Sequence, residues 1–454
     1  VNGAATDVAG VPAPADARAP RTVEDTGLPF LFLAELIAKV LHQRGQLRLP
    51  ELAAHLKLTV SVIDPLIAFL RTERLCEVVR VGGSGTDADL SYLLTDAGRR
   101  RAQAVLARNA YAGPAPVPLD LYTAQVKAQS VAGMVVTRAS MAAAFDGVVV
   151  NPRVLDQLGA AMNSGRTLFL HGAAGSGKTF LAERLRDVLS GVIAVPHALM
   201  VDGEAIPIFD IVVHRVVGGA APAAGFDRGA ACDARWVRNV RRPAGLVGGE
   251  LTLEMLDLRF DPNTRLYNAP PHLKSNNGIF IVDDLGRQRC QPDVLMNRWI
   301  VPMDRAVDYL TLHTGQSFQV PFDVIVVFSS NFVPQRLSDS AFLRRLGYKI
   351  DVPPMAQDEY ARLFRQACRD AGVTAAPGAF DALLALHQRA GVPLLACHPR
   401  DLVAQLRDRG RYEEQAVGVD AATLDWAWHN YFAPGNPPGA TLELERRERG
   451  SEND

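Results

Sequence analysis

Lysine is scarce in this chain, with six copies in 454 residues against 48 basic residues in all. Arginine carries nearly all of the basic charge, which is what GC-rich coding produces, and a bacterial source is expected. Cysteine is sparse too. Cys76, Cys232, Cys290, Cys368 and Cys397 form no C-x-x-C pair, which argues against a disulfide framework or a structural zinc site and fits a reducing cytoplasm. The net charge is −1, so no global field draws the protein to nucleic acid or to a membrane surface. No apolar run approaches the roughly 20 residues of a spanning helix, and the first residues carry no signal-peptide core. A cytoplasmic protein without membrane insertion is expected. What the chain does have is a 48% hydrophobic fraction, enough for a sizeable core, and a length that suits two or three domains.

Residues 1–26 are rich in Ala, Pro, Asp and Gly without periodicity and read as a disordered tail. Residues 27–110 carry three helical patterns. Cys76–Val81 and Leu90–Leu94 follow as two strands around a Gly-Gly-Ser-Gly turn, and Thr95-Asp96 then caps a further helix. Pro65 is expected in the first turn of the third helix, where proline is tolerated. Three helices and a two-stranded wing resemble a small winged helix-turn-helix domain. Its third helix, from Ser61 to Glu73, has Arg71 as its one basic residue, and the wing tip carries Asp87 and Asp89. A helix that reads DNA presents several polar or basic groups. Docking of a protein is therefore favoured, with DNA binding through Arg99, Arg100 and Arg101 as the alternative. Residues 111–138, opened by Ala112–Pro118, read as a Pro-rich linker. Residues 139–352 read as an α/β core, 353–434 as a helical region, and 435–454 as a charged, flexible tail.

The most specific motif is Gly172-Ala173-Ala174-Gly175-Ser176-Gly177-Lys178-Thr179. An apolar stretch, Thr167–Leu170, precedes it, and a helical pattern from Phe180 to Leu189 follows. Strand, glycine loop and helix in that order are the context a phosphate-binding loop requires. Glycines let backbone N–H groups close around phosphates, and a helix N-terminus adds partial positive charge. Lys178 would reach the β/γ-phosphates and Thr179 would hold Mg²⁺. Downstream, the apolar strand Gly278–Val282 ends in Asp283 and Asp284, and a strand of this kind is expected beside the phosphate loop. Asp283 would hold Mg²⁺ through water, and Asp284 would polarise the attacking water. A second buried strand, Val324–Ser330, ends at Asn331, placed to orient the lytic water or to sense the γ-phosphate. Ala341–Leu346 carries Arg344 and Arg345, and His398-Pro399-Arg400-Asp401-Leu402 opens a helix near the C-terminus.

These five elements, in this order, resemble an AAA+ ATPase over residues 139–432. The resemblance implies an α/β fold, a three-layer αβα P-loop core with a C-terminal helical lid. It assigns nucleotide binding to Gly172–Thr179 with the adjoining Phe180, and makes Asp283 and Asp284 the Walker B pair. Asn331 becomes sensor 1 and Arg400 sensor 2. Arg345 matches the arginine finger best, with Arg344 second. ATP and Mg²⁺ are implied, as is a homo-oligomeric ring, a hexamer, with sites at subunit interfaces. One departure is Asp284, where most members have Glu. Tyr309–Pro321 alternates around a turn and looks like the presensor-1 hairpin of the MoxR, McrB, MCM and enhancer-activator branches. The stretch between Lys178 and Asp283 is longer than a minimal core needs, so an insertion lies there. It has no GAFTGA loop, and Phe260 and Tyr267 are either pore-loop residues or core. The leading reading is a MoxR-like ATPase that remodels an unidentified protein client. The alternatives are a DNA-bound regulator using ATP as an assembly switch and a nucleic-acid motor.

Overall fold

A computed structural model describes residues 18–80, 90–218, 232–337, 340–415 and 418–432. The N-terminal elements are α1 (Phe30–Arg44), β1 (Leu47–Arg48), α2 (Leu49–Leu56), α3 (Val60–Thr72), β2 (Cys76–Arg80), β3 (Leu90–Leu94) and α4 (Asp96–Arg108). Leu33, Leu36, Ile37, Val40 and Leu41 of α1 are buried, as are Val62, Ile63, Leu66, Ile67 and Leu70 of α3. Both sets follow the spacing of one helical face. Thr95 caps α4 by accepting the Gly98 N–H at 3.1 Å. The sheet has three strands in the order β1-β3-β2, one more than expected, because Leu47–Arg48 pairs antiparallel with β3. α3 starts at Val60, so Pro65 lies past the first turn, inside the helix. The wing-tip residues Asp87 and Asp89 fall outside the described residues.

Two segments depart from expectation. A 3₁₀ turn at Glu24–Thr26 buries Thr26, and Val23 packs into the N-terminal core, so residues 18–26 are ordered chain. Residues 1–17 and the whole of 435–454 lie outside the described residues. The expected linker instead forms β4 (Val117–Pro118) and α5 (Leu119–Ala128). Tyr122 and Val126, one helical turn apart, give α5 an apolar face that is buried. Hydrogen bonds hold the crossing in place. Buried Arg235, paired with Asp233 at 2.8 Å, donates to the carbonyls of Thr26 at 2.8 Å and Pro116 at 3.2 Å. Lys39 Nζ donates to the Asn109 carbonyl at 3.1 Å.

The larger unit opens with α6 (Arg138–Ala144), α7 (Pro152–Asn163), β5 (Leu168–His171) and α8 (Lys178–Arg184). An inserted β region follows, with β6 (Val192–Pro196), β7 (Ala198–Val201), β8 (Glu204–Pro207) and β9 (Trp236–Arg241). Then come β10 (Ala244–Val247), β11 (Arg259–Asp261), β12 (Leu266–Asn268), α9 (Pro271–Lys274), β13 (Gly278–Val282) and α10 (Pro292–Arg305). β14 (Val307–Thr311), β15 (Ser317–Pro321), β16 (Val324–Ser330), α11 (Ser340–Leu343) and β17 (Tyr348–Asp351) complete it. The central sheet is parallel throughout, in the order β10-β13-β16-β5-β17. Leu168, Leu170, Ile279, Ile281, Ile325 and Val327 pack on the side of α7 and α8. Phe169, Phe280, Val282, Val326 and Phe328 pack on the side of α10. Continuous apolar strands are what a parallel sheet covered on both faces requires, and the result is three αβα layers. Helices α12 (Gln357–Ala371), α13 (Ala379–Ala390), α14 (Cys397–Tyr412) and α15 (Ala421–Phe432) enclose a core of their own. The fold is α/β with a helical C-terminal region. Among the described residues, no single helix is long and apolar enough to cross a membrane.

Candidate functional site

The glycine loop leaves the end of β5 and turns into α8. Gly172, Gly175 and Gly177 take φ of +148°, +82° and +95°, values that favour glycine. The helix is shorter than expected, since α8 ends at Arg184 and a 3₁₀ turn takes Leu185–Val188. Lys178 is buried, and its Nζ donates to the carbonyls of Gly172 at 3.1 Å and Ala173 at 2.9 Å and to Asn331 Oδ1 at 2.9 Å. Burial lowers the Lys178 pKa, and the nearby charges of Asp284 and Asp283 only partly offset it, so it stays below the usual lysine value. Thr179 Oγ1 donates to Asp283 Oδ2 at 2.8 Å. Asn331 Nδ2 donates to Asp284 Oδ1 at 3.1 Å. Five side chains from three separate stretches of sequence thus form one cluster at the C-terminal ends of the strands.

The strand that carries the two carboxylates ends beside the loop, as expected, although it is not the loop strand's neighbour in the sheet. β16 lies between β13 and β5, so the Asp-Asp strand is one place removed from the loop strand. The reach of Asp283 to Thr179 closes that gap. Asp284 takes φ +48°, a left-handed conformation that Asp tolerates better than most residues.

The arginines are not brought into this cluster. Arg344 and Arg345 precede β17, beside Gly347, whose N–H donates to the Thr167 carbonyl at the start of β5. That is the opposite end of the sheet from the loop. Arg345 Nε donates to Asp304 Oδ2 at 2.8 Å. Both arginines line a groove of about 490 Å³ with Arg166, Asp304 and Asp323. Arg400 is 78% exposed and pairs with Asp401 at 3.2 Å. Its helix does touch the loop, since the Cys397 N–H donates to the Gly175 carbonyl at 3.1 Å.

Phe180 lines a cleft of about 60 Å³ beside the loop, with Val148, Val150, Val352, Met355 and Glu359 among its walls. No motif marks these wall residues in the sequence. The valine run Val148–Val150 was the one signal available, and it lies outside any helix or strand.

The hairpin expected at Tyr309–Pro321 is β14–β15, antiparallel from Val307↔Pro321 to Thr311↔Ser317. Phe260 and Tyr267 pair across a second hairpin, β11–β12. Tyr267 is buried, its hydroxyl bonds His313 at the tip of the first hairpin, and His313 stacks on Phe260 with ring centroids 4.2 Å apart. Of the two readings for this pair, packing is the one their contacts fit.

Residues 356–430, which take in α12–α14 and all but the last two residues of α15, match the family described as a domain of unknown function (DUF8689). No curated protein matches the chain. Among solved structures it is similar to NtrX from Brucella abortus, at 14% identity and a TM-score of 0.38, over 77% of this chain and 65% of that one. The chain thus spans just under two thirds of NtrX. It is also similar to the RuvB Holliday junction branch migration motor from Thermotoga maritima, at 12% identity and a TM-score of 0.34, over 61% of this chain and 68% of that one.

Proposed function

We propose that this chain is an ATPase of AAA+ type, and that the convergence of Lys178, Thr179, Asp283, Asp284 and Asn331 carries the reading. Lys178 and Asn331 stand 153 positions apart and meet at 2.9 Å. The loop suits a phosphate group. Ser176 Oγ is buried without a hydrogen-bond partner, and the Lys178 ammonium is satisfied by carbonyls it can exchange for phosphate oxygens. The mostly apolar cleft at Phe180 lies where a nucleobase would stack, and at about 60 Å³ it would have to widen to take one. Thr179 and Asp283 supply few protein oxygens, which suits Mg²⁺, an ion that keeps water and phosphate ligands. When bound, the metal would neutralise charge on the phosphates. Asp284 would accept the proton of the attacking water, held in place by Asn331.

The arginine positions favour a ring. β5 has four residues, so the sheet ends stand roughly 13 Å apart or more. Arg344 and Arg345 therefore suit the nucleotide of a neighbouring copy better than their own, and a homo-oligomer, a hexamer by the AAA+ resemblance, would bring them to it. Arg345 is our choice for the finger and Arg344 the second. Arg400, from the helix that touches the loop, would contact the γ-phosphate from the lid side.

For the biological role we favour a MoxR-like remodeller whose winged-helix unit, residues 27–110, docks a protein client. The exposed face of α3 presents Ser61, Asp64, Pro65, Ala68 and Arg71, a poor match to phosphates. Arg99 pairs with Asp96, and Arg101 and Arg108 both pair with Glu35. Asp284→Asn should bind ATP without hydrolysing it. A protein that co-purifies with this variant in ATP but not in ADP would support the remodeller. Retained DNA, lost with rising salt, would replace it with the regulator or motor.

A further inference from the structure

We infer that Gln288 is a positioning residue for Asp284, an inference that rests on the ATPase reading above. The Gln288 side-chain amide spans the turn that follows β13. Its Nε2 donates to the carbonyl oxygens of Asp283 at 2.9 Å, Asp284 at 3.3 Å and Gly248 at 3.3 Å. Its Oε1 accepts the Gly286 N–H at 2.9 Å. One neutral amide thus satisfies backbone groups on both sides of Asp284.

The turn needs such a tie. Asp284 and Gly286 both have positive φ, +48° and +101°, and a non-glycine residue holds that conformation only when its surroundings fix it. The acid here is also the short one. A glutamate has three side-chain torsions with which to correct its aim and an aspartate two, so the aim of an aspartate depends more on its backbone. Asn331 holds the carboxylate from one side at 3.1 Å, and Gln288 holds the peptide groups that carry it. Gly248 immediately follows β10, so the same amide joins the ends of two neighbouring strands, β10 and β13. Sequence reasoning passes over Gln288 because it belongs to no motif.

Two variants test the assignment in the full-length protein. Gln288→Glu keeps the shape and the acceptor for Gly286 but removes the donor. Gln288→Ala removes both without adding charge. We expect ATP turnover to fall about 10²-fold in each, the loss that a small misplacement of a reacting group brings. ADP affinity should stay within about threefold of wild type, as it does when only a transition-state interaction is lost. Wild-type turnover in either variant overturns the assignment. So does a parallel loss of turnover and ADP affinity in both, which would make Gln288 a general support of the loop. A wild-type protein that binds ADP but turns over no ATP would instead bring down the ATPase reading, and this inference with it.

Discussion

At Gly172 an added Cβ would stand 2.4 Å from the Val352 carbonyl oxygen. That oxygen has little freedom to withdraw, because the Val352 N–H donates to the His171 carbonyl at 2.7 Å. Gly172→Ala should therefore cost about 1–3 kcal/mol of stability in urea unfolding, the range for a residue forced into a poor conformation. Gly133→Ala, facing open space, should be nearly neutral, and equal losses at the two sites would remove the steric argument. Lys178→Ala would take away the donor shared by two loop carbonyls and Asn331. It should abolish nucleotide binding or turnover, and normal turnover would reject the proposed site. These residues were legible because the loop is contiguous and its glycines are dictated by backbone shape. Gln288 and the cleft walls were not, because their roles arise from positions that only the folded chain brings together.

The β14–β15 hairpin is fixed at its base by Asp308. That carboxylate accepts bonds from Arg298 at 2.7 and 2.9 Å and from His272 at 2.8 Å. Burial opposes its ionisation, but the hydrogen bonds from His272 and Arg298 outweigh burial and hold its pKa below the usual 3.8. A carboxyl lowered in the folded state adds stability above the unfolded value and loses it as pH falls through the folded one. Other carboxyls are lowered too, Asp210 among them, so the wild type should lose more thermal stability below about pH 4 than Asp308→Asn does. An identical acid limb in both proteins would show that Asp308 is not its source. Asp308→Ala should cost about 3–5 kcal/mol, since it strands a buried partner. This hairpin was legible from its alternation of apolar and polar residues. α5 was obscured by the prolines that introduce it, although the spacing of Tyr122 and Val126 was there to be read. The order of the sheet was hidden as well, since β16 follows β13 by more than forty positions and still inserts between it and β5.

For the whole molecule, the separation of the arginines from the loop makes the ring testable by mixing. Arg345→Ala should bind ATP and fail to hydrolyse it, while Lys178→Ala should fail to bind. Mixed together, a Lys178→Ala subunit can lend Arg345 to a neighbour whose loop is intact, and turnover should reappear. No gain over the separate variants would count against action between subunits, and an inactive Arg344→Ala beside a normal Arg345→Ala would move the finger by one residue. The ordered crossing between the N-terminal helices and the sheet has a mechanical consequence. A slack tether the length of residues 111–138 would let its ends wander about 30 Å, and a pull at one end would be spent straightening it. Here Arg235 holds the carbonyls of Thr26 and Pro116, and the Ala110 N–H donates to the Arg265 carbonyl in the turn of β11–β12. A load taken up by the N-terminal helices would be felt at the hairpins with little lost motion, as in a lever rather than a leash.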